Sequence, residues 1–197
     1  MKSLCVFCAI GVLVCSTALA QHAEKPEDIL AQLPTPPCDA AEALARCPHE
    51  ADTLMEKYVQ RLIALSEGDT LDAESAVNMQ QSASIHSFAR LHQQLETQIR
   101  QIGEQIDRRI RSCRTIPNDD GKEVYDPVCV DTVERWGKAQ RVAAVHNFLA
   151  EVQTVWRPYL EAIQSIFNSV EHGKWQVVLR VAADGALITS TAAQYVR

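Results

Sequence analysis

Apolar residues recur every three or four positions over most of the chain. Leu44, Cys47, Ala51, Leu54, Tyr58, Leu62 and Leu65 make one such stripe, which predicts a helix over about 39–66. Pro48 divides it into a short piece and a longer one, because proline suits a first turn and not a helix interior. Ser66-Glu67-Gly68-Asp69 closes it, with Gly68 suited to a left-handed C-terminal cap. A second stripe runs through Ile85, Phe88, His92, Leu95, Ile99, Ile102, Ile106, Ile110 and Cys113 and predicts a helix over about 71–113. Its alternation of three and four is coiled-coil-like, although Arg109 takes one strict slot. Such a helix would be roughly 60 Å long.

Residues 114–130 carry the turn formers Pro117, Asn118-Asp119-Asp120-Gly121 and Pro127 and read as a loop. Asp131 followed by Glu134 resembles a capping box, and a third stripe from Val142 through Val145, Leu149, Val152, Trp156, Tyr159, Ile163, Ile166 and Val170 predicts a helix over 131–171. Pro158 should kink it. The tail, 174–197, is different. Trp175, Val177, Leu179 and Val181 alternate, Asp184-Gly185 is a two-residue turn signal and Leu187-Ile188-Thr189 is β-prone, so the segment reads as a hairpin. An Ala-rich helix interrupted at Gly185 is the alternative. A lone hairpin is marginal in water and would have to pack on the helices.

An antiparallel pairing of the second and third helices, turning near residue 121, makes the numbers of facing residues add to about 242. That sets Phe88 near Trp156, Leu95 near Leu149 and Ile102 near Val142, and brings Cys113 opposite Cys129. The apolar register and the cysteine register agree. A Cys113–Cys129 disulfide would clamp the tip of the hairpin, a closure worth about 3 kcal/mol in the chain-entropy model. Cys38 and Cys47 then pair by default. In one straight helix their Cα atoms would lie about 13 Å apart, so the chain must bend between them. The first helix, packed along the second, would cover mainly residues 72–100. The tip half of the hairpin, with Ile106, Ile110, Val133 and Trp136, would then project as a thin arm or meet a partner.

The N-terminus supplies the compartment. Residues 1–20 have a positive start at Lys2, an apolar run from Leu4 to Val14 and small residues at Ala18 and Ala20, the pattern of a signal peptide cleaved before Gln21. The run is too short to span a bilayer comfortably. Val14 before Cys15 departs from the lipoprotein pattern. Cleavage takes Cys5, Cys8 and Cys15 away and leaves Cys38, Cys47, Cys113 and Cys129, an even set that reads as two disulfides in an oxidising periplasmic or secreted setting. Their spacings fit no zinc-knuckle pattern. Residues 21–37, with Pro26, Pro34, Pro36 and Pro37, look like a tether, although Pro26-Glu27-Asp28 could open a short helix through Leu33. Residues 38–197 form one helical domain. The mature chain has 18 basic against 25 acidic residues, a formal charge of −7, which disfavours nucleic acid and anionic lipid. No later segment is apolar enough to enter a membrane.

Candidate chemistry is sparse. No Gly-x-Ser-x-Gly turn, no Gly-rich phosphate loop and no Glu-x-x-His pair occurs, and His49-Glu50 lacks the second histidine of a zinc peptidase. His86 and His92 lie on different helix faces. His92 and His146 fall near one another in the hairpin register, where a polar residue more often sets register than binds metal. No catalytic residue, cofactor or metal site is assigned. Arg108, Arg109, Arg111 and Arg114 cluster at the end of the second helix, where cations offset the macrodipole. Trp136, Tyr125, Ile116 and Val128 gather near the same tip. In an aromatic-poor chain they mark, with Arg109, a candidate interaction surface, the plainer reading being that they close the loop onto the second helix.

The stretch from Cys38 through Cys47 to Ala51-Asp52 and Tyr58 resembles, over fewer than thirty residues, a family of small bacterial envelope proteins that includes lysozyme inhibitors. Here the cysteine spacing is shorter. The layout of long helices before a Val-rich hairpin is similar to the Skp family of periplasmic chaperones, without that fold's opening strand and with an acidic charge. Neither resemblance carries over a functional residue. The fold expected is mainly α: an antiparallel bundle of three long helices stapled by disulfides, with a small C-terminal β-hairpin. The function expected is non-enzymatic, an exported adaptor, accessory or chaperone-like protein of the bacterial envelope that binds another protein or itself. The alternative is a small secreted or periplasmic inhibitor of a hydrolase such as lysozyme.

Overall fold

The computed structural model describes residues 24–32, 47–80, 83–114 and 124–196. The signal segment, Cys38 and the Cys38–Cys47 pairing lie outside them. The described chain is mostly helical: α1 Pro26–Gln32, α2 Cys47–Leu65, α3 Ala73–Gln80, α4 Ala83–Ser112, α5 Pro127–Ser169 and α6 Lys174–Val196. Within the described residues no helix is long and apolar enough to cross a membrane.

The α4–α5 hairpin forms in the expected register. Phe88 packs on Trp156 with ring centroids 5.8 Å apart. Further out, Gly137 sits against Ile106 so closely that a Cβ there would lie 2.4 Å from Ile106 Cδ1. At the tip, Cys113 and Cys129 are disulfide-bonded with Cα atoms 5.6 Å apart. At 43 residues, α5 is roughly 65 Å long. It starts four residues before Asp131, because Asp126 caps it: its carboxylate accepts from Val128 N (2.9 Å) and Cys129 N (3.3 Å), and Pro127 needs no donor partner in the first turn. The helix continues through Pro158. The predicted 71–113 helix is divided into α3 and α4.

The tail overturns the hairpin expectation. Residues Lys174–Val196 form one helix that runs straight through Asp184-Gly185. Val177, Val181, Ile188 and Ala192 lie on one stripe, and Val178, Ala182, Gly185, Thr189, Ala193 and Val196 extend burial to a neighbouring one. A helix buried on two sides shows an almost continuous apolar run, in which the alternation at 175–181 is incidental. The two turn-forming residues have other uses. Gly185 leaves room for the neighbouring helices: a Cβ would lie 3.1 Å from Met55 Cε and 3.4 Å from Trp156 Cη2. Asp184 accepts hydrogen bonds from Tyr159 Oη (2.5 Å) and Arg180 Nε (3.3 Å).

This helix also moves the first one. The three-helix arrangement, with the first helix along the second, is replaced: α2 packs on α6, and α6 packs on α5. Gln176 Nε2 donates to Ser66 O (3.1 Å) at one end and Met55 meets Gly185 nearer the other, so α2 and α6 are antiparallel. The α5–α6 turn is gripped by the loop after α2. Gly68 closes α2 at φ +80°, as its position implies, and Asp69 then caps α6 from more than a hundred residues away, accepting from Gly173 N (3.0 Å), Trp175 N (2.8 Å) and Gln176 N (3.3 Å). Gly173, at φ +89°, lies so close to Leu71 and Thr70 that a Cβ would strike backbone. Part of the Pro-rich N-terminal segment is docked as well: α1 packs on α6, buries Ile29 and Leu30, and pairs Glu27 with Lys174 (3.1 Å).

Candidate interaction surface at the hairpin tip

Among the described residues, α4 and α5 continue beyond the last turn of α6, and the disulfide ties their ends. Around it the backbone is well fixed. Arg114 and Tyr125 form an isolated antiparallel bridge, and Asp126 N donates to Cys113 O (3.0 Å). The same Asp126 caps α5, so one residue joins the bridge, the disulfide and the helix start. A rigid base of this kind lowers the ordering cost that a binding loop would pay.

On this base the tip exposes apolar side chains. Val128 is 71% exposed, Val124 44% and Tyr125 38%. Apolar surface loses water contact favourably, so two valines and a tyrosine ring exposed at this end are a cost to the isolated chain and a gain to a complex. Cations border them. The Arg114 guanidinium lies 5.9 Å from the Tyr125 ring centre, and Arg111 is exposed in the last turn of α4.

Of the five residues that the sequence brings to this end, the four described ones fall into two groups. Tyr125 and Val128 belong to the exposed tip. Arg109 and Trp136 find each other instead: the guanidinium stacks 3.8 Å from the indole centre, so each covers the other on the flank of the arm. Through that contact Trp136 of α5 packs on α4. Ile116 lies outside the described residues. Val124 lies outside every helical stripe, and its signal in the sequence is the apolar run Val-Tyr-x-Pro-Val at 124–128.

The other candidates disperse. His146 is exposed on α5, while His92 Nε2 stands 3.6 Å from Glu96, one turn along α4. Among the described residues no three His, Cys, Asp or Glu side chains gather as a metal site would need. Among the described residues Tyr159 is the strongly perturbed group. Burial pushes its phenol far above the ordinary range, and the Asp184 charge adds to this. It sits in an aromatic cluster with Phe88 and Trp156 at centroid distances of 5.4 and 5.2 Å, a core position with its one hydrogen bond made.

No known family, curated protein or solved structure matches the chain.

Proposed function

We propose that the chain is an exported, non-enzymatic interaction protein of the bacterial envelope, and that its disulfide-clamped tip docks on another protein. The observation behind this reading is the exposure of Val128, Val124 and Tyr125 on an arm whose base is fixed by a disulfide, a bridge and a helix cap. Centrally placed apolar and aromatic residues with arginine at the rim are the usual anchors of protein interfaces. The signal-peptide pattern and the cysteine usage support the compartment.

The experiment is a differential capture with the oxidised protein, comparing wild type with Val128→Asp and Tyr125→Ala. A partner held by wild type and released by both variants, while their melting temperatures stay unchanged, supports the reading. Equal capture by all three removes the tip from it. Should the tip-dependent partner be a hydrolase whose activity falls on binding, the role is that of an inhibitor.

A further inference from the structure

The α4–α5 hairpin outruns α6, and the step where α6 ends is a cleft. Tyr195 and Val196 at the end of α6 meet Ile106 and Ile110 of α4 and Glu134, Lys138 and Arg141 of α5 around a cavity of about 340 Å³. Its walls are of two kinds: Ile106, Ile110 and Val196 are apolar, while Lys138 and Arg141 bring two cations on successive turns of α5. Arg141 Nε is buried and has no hydrogen-bond partner among the described residues. A guanidinium N–H withdrawn from water and left unsatisfied is costly, and native folds keep few of them. With Nε closed off, a ligand in the cleft would reach this guanidinium through its terminal Nη groups.

We propose that this cleft binds an aliphatic carboxylate. The carboxylate accepts from Arg141, whose planar fork suits that geometry, and Lys138 adds charge from the exposed rim. The aliphatic part lies against Ile106, Ile110 and Val196. Glu134, also in the lining, reduces the local charge from two cations to a net of one, which fits a monoanion better than a phosphate dianion. The same chemistry is carried by a medium-chain fatty acid and by a peptide ending in a large aliphatic residue. The cleft lies on the flank of the arm, and the proposal stands apart from the tip reading.

The test is a methyl-resolved NMR titration of the oxidised protein. Octanoate should shift the Ile106, Ile110 and Val196 methyl signals, whereas octanol and acetate should bind at least about tenfold more weakly, each lacking one half of the recognition. Arg141→Gln should weaken octanoate by about tenfold or more. Should that variant fold poorly, the exposed Lys138→Gln serves instead and should weaken octanoate about threefold. A blocked Val-Leu dipeptide compared as free acid and as amide separates the sources. Tighter binding of the free acid than of octanoate identifies a chain terminus, and the reverse identifies a fatty acid. Methyl signals unmoved by either carboxylate at roughly 10 mM, or moved equally by octanol and octanoate, would overturn the proposal.

Discussion

Gly137 is the most exacting test of how α4 and α5 meet. In an ordinary exposed helix, Gly→Ala stabilises by up to about 1 kcal/mol, because alanine has the better helix propensity. Here the added methyl would lie 2.4 Å from Ile106 Cδ1 and 2.7 Å from Ile106 Cγ1, more than 1 Å inside normal contact. Isoleucine is stiff at χ1 and cannot simply swing aside. Overpacking of this degree costs about 1–3 kcal/mol, so Gly137→Ala should be net destabilising by about 1 kcal/mol. Ile106 is only half-buried, so Ile106→Ala alone should cost about 1–2 kcal/mol, less than a full core truncation. In the double variant the methyl fills the space that isoleucine leaves, and the two effects should fail to add by at least about 1 kcal/mol. Urea unfolding of the four proteins gives the cycle. Stabilisation by Gly137→Ala with additive behaviour in the double variant would refute this packing and the register it defines.

Three further outcomes follow from other parts of the fold. Replacing Cys113 and Cys129 by serine opens a loop with a sequence separation of 16 and should cost about 3 kcal/mol, with faster amide exchange concentrated at the ends of α4 and α5; unchanged exchange there would contradict the clamp. Asp69→Ala leaves three N–H groups at the start of α6 without their acceptor and should cost about 2 kcal/mol by chemical denaturation, more than a cap with a single hydrogen bond. Tyr159 keeps its proton in the fold because of burial first and Asp184 second. The unfolded chain loses that proton above about pH 10, so stability should be unaffected by this group below that pH and should fall above it. Tyr159→Phe should make the alkaline fall shallower, and an identical slope would show that Tyr159 ionises freely in the fold.

The hairpin was readable because its evidence is local and repeated. The stripes through Phe88 and Trp156 and the pair Cys113 and Cys129 fix one register independently, and each limits the errors of the other. The tail was not readable in the same way. Asp184-Gly185 is a turn signal only where nothing else claims it, and here Tyr159 claims the aspartate while Met55 and Trp156 claim the space beside the glycine. Without α6 as a helix, α2 had no better partner than α4, so one misread segment displaced another. The cap on α6 was equally hidden, since Asp69 reaches it across more than a hundred residues. At the tip, Tyr125 and Val128 stood out by composition. Arg109 and Trp136 also did, but whether they would cover each other depended on the side-chain geometry across two helices. The cleft at Arg141 gave no sign in sequence, because Glu134 four residues before Lys138 reads as an ordinary surface ion pair.

The claim that the tip meets another protein is tested most directly by site-specific photocrosslinking in cells that export the chain. A photoreactive phenylalanine analogue would replace Val128 in one protein and exposed Arg157, on the body of α5, in another. A tip that docks on a partner gives a discrete crosslinked species from position 128 that disappears when Cys113 and Cys129 are changed to serine, and none from position 157. Equal labelling at both positions, or no species at 128, would contradict it.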